Sequence, residues 1–400
     1  MEPAPGPATA GADGPAAGLP GRSYTEPDLF ALERRRIFGP AWTWVGHVSD
    51  LPAPGTALRH DLFGRSAFVI RGRDGALRAF RNVCRHRGSR LVDGDRSTGL
   101  AFCIDGRVRC PNHAWVYGDD GALLEVPCQG RYPGLDRSVL GLHPLAVEAW
   151  LGQLFLAFEP PKHTAAEEYA DLADVLEAYR PESMRRIGEP QSRICAANWK
   201  LVCEHRLDLL HAARAHALPG TGAIRPVARE RMVSLAGEVA AGEAASWSTR
   251  AYARWLPDRS TLPPAHQRSW SRHFLWPNVF FDLQPEQLRV TQLLPMHAGE
   301  THVRTTTFGT PDASGSLRLA RYLGDRVERR VAAAERRLVE RIHAGVASGD
   351  YDTGPLAIDE VALRWFTRRW LEAVPEGAAV AEGAGAARLR SRTRRKRFLG

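Results

Sequence analysis

Two short Cys/His pairs carry the most chemistry in this sequence. Cys84-x-His86 and Cys110-x-x-His113 each lie beside or near a glycine-bearing turn, with 23 residues between His86 and Cys110. Such spacing lets both side chains of a pair reach one centre from a single loop, and two loops can clasp that centre from opposite sides. Thiolate and imidazole together suit zinc. They also suit a [2Fe–2S] cluster, in which two cysteines hold one iron and two histidines the other. The spacing alone leaves both open.

A second constellation follows downstream. Asp208-x-x-His211 and, five residues further, His216 bring two imidazoles and a carboxylate into one stretch. At about 100° per residue, Asp208 and His211 share a face of a helix over 198–212, whereas His216 lies about 140° from His211. The chain must therefore bend near 213–217. Two histidines and one acid with open coordination positions form the facial triad of non-haem Fe(II) oxygenases. A third feature is an acid inside a long amphipathic pattern at 315–348. Its apolar stripe runs Val331, Leu338, Ile342 and Val346, and Glu335 falls on that stripe. A carboxylate facing a core is costly unless it is neutralised, paired or metal-bound. From helix geometry alone, an ion pair with an arginine at the core's edge is the ordinary reading.

The elements that would position these residues change in texture along the chain. Residues 66–83 alternate around Asp74-Gly75, a hairpin signal, and 152–161 reads as a strand closed by two prolines. Between about 46 and 160 the pattern is that of a small β domain. Helical patterns follow at 164–179 and 198–212, three strand-like runs at 278–309, and the long helix at 315–348.

Composition narrows the class. The chain has 400 residues, 44% of them hydrophobic, as in ordinary globular proteins. No run of about 18 apolar residues suggests a membrane span, and nothing at the start reads as a secretion signal, so a cytoplasmic protein is expected. Six cysteines in such a chain point to metal binding or burial rather than a disulfide framework. The net charge of +9 is largely local: Arg388 to Arg397 holds seven basic residues and no acid. The basicity is a tail, and no nucleic-acid partner is expected. Residues 1–22 and 377–400 have the composition of disordered tails.

The residues around the pairs resemble a known family. NVCRHRGSRL (82–91) and CPNHAWVYGDDG (110–121) resemble the two halves of the Rieske motif of aromatic-ring-hydroxylating and related oxygenases. The second half keeps Cys110, Pro111, His113, Trp115, Tyr117 and Gly121 and departs at Asn112 and Ala114. The interval before Cys110 is longer than usual, which places an insertion near 92–109. Cys103 is set aside as a ligand because Gly106 stands where a histidine is needed. NWKLVCEHRLDLLHAARAH (198–216) is similar to the family's catalytic motif at Asn198, Trp199, Lys200, Glu204, Asp208, His211 and His216. His205 replaces an Asn there, and Leu210 a frequent Tyr. AERRLVERIHAGVASGDYDTGPL (334–356) resembles the segment in which an Asp binds iron, with Glu335 in that place.

This resemblance implies an α+β fold, with a Rieske β domain at 46–160 and a catalytic domain of antiparallel sheet and helices drawn from 23–45 and 161–376. It implies that Cys84, His86, Cys110 and His113 hold a [2Fe–2S] cluster, and that His211, His216 and Glu335 bind a mononuclear Fe(II). Asp208 would carry electrons from a Rieske histidine of the neighbouring subunit in a homotrimer. The protein would then be a terminal oxygenase that hydroxylates, oxidatively dealkylates or cyclises a small organic substrate. O₂ is the co-substrate and electrons come from a ferredoxin or reductase. NAD(P)H would act only through that reductase, since no Gly-rich dinucleotide motif is present. The run WPNVFFDLQPEQLRVTQLLPM (276–296) resembles the branch acting on small amines and quaternary ammonium compounds, although that branch generally carries Glu where this chain has Asp208. The alternative is a non-catalytic zinc-binding or electron-carrier protein with a Cys2His2 site.

Overall fold

Helix α1 (Pro27–Glu33) begins on a proline, whose missing N–H costs nothing in a first turn. Ten strands follow it: β1 (Thr43–His47), β2 (Thr56–Leu62), β3 (Arg65–Arg71), β4 (Leu77–Arg81), β5 (Leu100–Phe102), β6 (Val108–Arg109), β7 (Val116–Tyr117), β8 (Leu123–Glu125), β9 (Pro144–Trp150) and β10 (Gln153–Ala157). Seven of them form an antiparallel sheet in the order β1-β10-β9-β4-β3-β2-β5, and β6, β7 and β8 form a smaller one. The β3–β4 hairpin turns at Asp74-Gly75, where Gly75 takes a φ of +80° that glycine adopts without penalty. The computed structural model describes residues 16–95, 99–208, 225–239, 246–258, 261–311 and 313–378.

The second half of the chain builds a larger sheet. Its elements are β11 (Arg185–Arg186), β12 (Gln191–Cys195), α2 (Trp199–Leu207), β13 (Arg225–Ala228), β14 (Met232–Glu238), α3 (Trp247–Trp255), β15 (Ser269–Leu275), β16 (Val279–Gln284), β17 (Gln287–His297), β18 (Glu300–Gly309), α4 (Gly315–Ala347) and α5 (Val361–Ala373). The strand order is β11-β18-β17-β16-β15-β14-β13, with β12 also paired to β18. The fold is α+β. One hydrophobic core runs through both sheets, joining Val45, Leu58 and Leu154 to Trp199, Phe274, Leu293 and Phe366. A polar tie reinforces it: buried Gln292 donates from Nε2 to the Trp44 carbonyl at 2.7 Å. No helix among the described residues is long and apolar enough to cross a membrane.

Three expectations change here. Residues 16–22 are not a tail. Leu19 is fully buried, Gly18 N–H donates to the Gly354 carbonyl at 2.9 Å, and Leu356 N–H donates to the Ala16 carbonyl at 2.6 Å. One buried leucine and a paired backbone outweigh a composition poor in apolar side chains. At the other end, Gly377 is buried against the Trp370 ring; the basic run 388–397 lies outside the described residues. Helix α2 stops at Leu207 rather than near 212, because Asp208 is extended, with φ −76° and ψ 104°. The Arg206 carbonyl, which a longer helix would bond to a backbone N–H four residues on, accepts instead from Arg272 Nη1 at 3.1 Å. On α4, finally, Ile342 is 39% exposed, while Val339 and Val346 are buried. His343 takes the inward turn that Ile342 was expected to take, facing Gly299 in the β17–β18 hairpin.

Helices α1 and α5 are fastened to α2 at one carboxylate. Glu33, at the end of α1, accepts from Lys200 Nζ, from Trp199 Nε1 at 2.7 Å and from Trp370 Nε1 at 2.8 Å. Glu33 and Lys200 are wholly buried. Removing one member of such a pair leaves a buried charge uncompensated, at a cost of about 3–5 kcal/mol. Glu33→Ala is thus expected to lose that much stability in urea unfolding followed by circular dichroism, and the double change Glu33→Leu, Lys200→Met to recover most of it.

Candidate active site

The two Cys/His pairs meet beside the three-stranded sheet. Cys84 follows β4, and Cys110 and His113 lie in the turn between β6 and β7. The thiols of Cys84 and Cys110 are buried, free and hydrogen-bonded to each other, and Cys84 also accepts from the His86 N–H. Burial pushes the Cys110 thiol up, but N–H groups of His113 and Asn112, with Cys84 and Ser89, outweigh it and hold it below the usual range. The Tyr117 hydroxyl sits 3.3 Å from Cys84 Sγ and accepts from Arg85 N–H at 3.0 Å. The two imidazoles form a separate pair, with His86 and His113 ring centroids 4.6 Å apart. Trp115 stacks on His86 at 4.7 Å and 7°, fixing that ring.

A thiol pair and an imidazole pair side by side match the donor set of a two-iron cluster. A buried Nδ1 on His86 with no hydrogen-bond partner among the described residues fits a ligand atom in the same way. No group of three or more His, Cys, Asp or Glu among the described residues is arranged to hold one ion. A single zinc shared by all four is therefore not favoured. Cys103 lies in the same apolar cluster as Cys84 and Cys110, where burial alone pushes its thiol up to about 11. The long interval before Cys110 forms β5, an edge strand paired to β2. Ala114 has a φ of +56°, a backbone that disfavours any side chain by about 1–2 kcal/mol relative to glycine.

The second constellation gathers beneath α4. A cavity of about 140 Å³ is lined by Val202, His205, Asp208, Val303, Glu335 and Val339, among others. Glu335 faces inward, as its place on the helix predicts, and Oε2 lies 3.3 Å from His205 Nε2. A histidine is thus one of its neighbours in the cavity. Asp325 and Glu328 are engaged elsewhere, at 2.7 and 3.7 Å from Arg289. Asp208, just past the end of α2, lines the same cavity. His211 and His216 lie outside the described residues.

Sequence reasoning missed the cavity's charged floor. Asp282 on β16 binds Arg206 at 2.9 Å and Arg272 at 2.5 Å. Burial pushes its carboxyl up, but the two guanidiniums hold it below the usual carboxylate range. A lone acid inside the apolar run VFFDLQ was the available signal. It also missed Glu33, for which no signal exists near the motif.

Comparison with known proteins bears on the whole arrangement. Residues 166–376 match the family described as ring hydroxylating alpha subunit (catalytic domain), and residues 41–143 match the Rieske [2Fe-2S] domain. Over 201 residues, half of this chain, it is 37% identical to the glycine betaine monooxygenase oxygenase subunit of Chromohalobacter salexigens, covering 43% of that protein. It is 31% identical over 199 residues to the carnitine monooxygenase oxygenase subunit of Escherichia coli K12, covering 52% of it. The chain thus spans about half the length of the curated relatives it matches. A quaternary ammonium Rieske monooxygenase structure superposes with a TM-score of 0.75 at 23% identity, covering 90% of this chain and 95% of that one. Naphthalene 1,2-dioxygenase with bound indole gives 0.69 at 21%, covering 90% and 92%. At these identities the two structures speak for the fold.

The hydroxyl of Tyr117 is the neighbour of Cys84 that a conservative change removes most cleanly. A hydrogen bond to sulfur stabilises the more negative, reduced state of a cluster. Tyr117→Phe is expected to lower the cluster's reduction potential by about 40 mV, the equivalent of one hydrogen bond of about 1 kcal/mol in a one-electron couple. Redox titration followed by visible spectroscopy measures it, and an unchanged potential would remove Tyr117 from the sulfur's environment.

Proposed function

The chain belongs to the ring-hydroxylating alpha-subunit family, with a Rieske [2Fe-2S] domain ahead of its catalytic domain, and we propose that it is a terminal oxygenase. It uses O₂ and electrons from a separate ferredoxin or reductase to hydroxylate, or oxidatively dealkylate, a small organic substrate. The observation that carries this reading is the presence in one chain of a thiol-and-imidazole site and a cavity where His205, Asp208 and Glu335 meet.

The residues divide the work. Cys84 and Cys110 hold one iron of the cluster, His86 and His113 the other; His211, His216 and Glu335 hold the mononuclear iron. When bound, the cluster supplies electrons one at a time and the mononuclear iron supplies a site for O₂ activation. His113 is exposed, so its ring is accessible to a carboxylate of another protomer. Asp208 is that carboxylate: in a homotrimer it accepts an N–H from the partner's imidazole and couples the two centres.

The cavity also favours one class of substrate. Its valines give an apolar wall, while Arg206, Arg272, Asp325 and Glu328 keep charges of both signs close by. A hydrocarbon ring would strip water from those ion pairs without adding a hydrogen bond to them, at a desolvation cost. A small molecule with an alkyl part and a charged end meets both walls. This accords with the glycine betaine and carnitine monooxygenases among the relatives. The zinc-binding alternative lacks any such use for the second cavity.

The test begins with colour. The isolated protein is expected to be brown, with the EPR signal of a nitrogen-ligated [2Fe–2S] cluster; a colourless protein with stoichiometric zinc overturns the reading. With a surrogate reductase, a screen of small N-methylated zwitterions is expected to yield O₂-dependent hydroxylated or demethylated product by mass. Asp208→Ala is expected to keep both kinds of iron and a reducible cluster while product formation falls about 10–100-fold or more. Near wild-type turnover in that variant would remove the coupling role from Asp208.

A further inference from the structure

We propose that Arg206 and Arg289 receive a carboxylate of the substrate, so that the charged end inferred above is an anion. The inference rests on the oxygenase reading and deepens it by naming the group that the cavity grips. Its starting point is a second cavity of about 110 Å³, lined by Leu235, Val239, Trp270 and Val327 among others. Arg206, Arg272 and Arg289 line this cavity and the first one alike. The three guanidiniums therefore stand where the two spaces adjoin.

Strand register gathers them there. Arg272 on β15 pairs across to Asp282 on β16, and Asp282 to Arg289 on β17, so the three side chains leave one face of the sheet in a row. Arg206 reaches the same carboxylate from α2. Each guanidinium offers several N–H donors in a fixed fork, and the acids present use part of that capacity. Asp282 takes Arg206 Nη2 at 2.9 Å and Arg272 Nε at 2.5 Å, and Asp325 takes Arg289 Nη2 at 2.7 Å. Arg206 Nε and Arg289 Nη1 are buried and have no hydrogen-bond partner among the described residues. Glu328 stands 3.7 Å from Arg289 Nη1, too far for a hydrogen bond. The Arg289 side chain is only 2% exposed. A buried donor left unmet is unfavourable, and two of them, on side chains that line both cavities, call for a ligand with two acceptor oxygens. A carboxylate has two, and its bonds to guanidinium are of the strong, charge-assisted kind. The floor already treats one carboxylate in this way: burial pushes the Asp282 carboxyl up, yet Arg272, Arg206 and Arg289 hold it below the usual range.

The test compares ligands in pairs. The full chain, carrying its cluster, is dialysed to equilibrium against trimethylammonium acids of increasing chain length, each paired with the alcohol of the same length, beginning with glycine betaine and choline. Ligand bound per cluster gives the affinity. In the unaltered protein at least one acid is expected to bind about 10–100-fold more tightly than its alcohol. Arg289→Lys keeps a charge beside Asp325 but loses the fork, and is expected to cut that preference to roughly threefold or less while the alcohol's affinity stays the same. Arg206→Lys is expected to do likewise. An unchanged visible spectrum of the cluster reports that a variant is folded; where a variant loses that spectrum, the pairs in the unaltered protein decide. Acids and alcohols that bind alike, or acids that do not bind at all, overturn the assignment. So does a folded variant that weakens both members of a pair equally, which is the behaviour of a residue that only shapes the cavity. O₂-dependent product from compounds bound without preference for the acid defeats this inference and spares the oxygenase reading. A preference that Arg289→Lys abolishes, without any O₂-dependent product, does the reverse.

Discussion

Burial of the Glu33 carboxylate is the constraint on which the rest of the catalytic half depends. Three donors meet it, the Lys200 ammonium and the indoles of Trp199 and Trp370, and they come from the start of α2 and from α5. Lys200 in turn lies 5.5 Å from the ring centres of Tyr24 and Trp199 and 5.4 Å from that of Trp370. Burial lowers the Lys200 pKa, and Glu33 counters it. A buried pair of this kind adds little net stability over a hydrophobic pair of the same volume. What it adds is register: each donor fits in one arrangement only. The first turn of α2 is thereby fixed in position relative to α1 and α5.

That register is transmitted along α2 to its last turn. Asn198 caps the helix, accepting from Lys200 N–H and donating to the Tyr24 and Ala298 carbonyls. One turn on, the Tyr24 hydroxyl stands 2.9 Å from both oxygens of Glu204, whose carboxyl burial pushes up to about 7. At the far end Arg206 is held by Asp282 and its carbonyl by Arg272. His205 and Asp208 are therefore fastened from both sides, by the N-terminal segment at one end and by the sheet floor at the other. A helix of only nine residues, which alone would be marginal in water, is in this way made a rigid mount for the side chains that line the cavity.

Much of this was legible where the chemistry is local. The Cys84/His86 and Cys110/His113 pairs lie in short loops, so spacing alone predicts that each pair converges. Asp74-Gly75 announces its hairpin by the backbone it needs, and the three strands after residue 278 and the long helix follow from periodicity. What was not legible depends on partners distant in sequence. Glu33 and Trp199 are 166 residues apart, and nothing around either names the other. The end of α2 is decided by Arg272, 66 residues away. Residues 16–22 look too poor in apolar groups to order, yet their order comes from backbone bonds to 352–356, which composition does not register.

The positions at which the motifs depart from the family pattern fall into two kinds once they are placed in space. Ala114 is a local departure: its φ of +56° shows a backbone shaped for glycine, and the alanine is carried by the surrounding turn. His205 and Glu335 are different, because they lie 130 residues apart in sequence and yet touch. A longer acid on α4 and a nitrogen base in place of an amide on α2 change the same few ångströms of space. The longer acid and the imidazole meet because α2, held through Arg206 to Asp282, and α4, held through Asp325 to Arg289, stand over the same sheet.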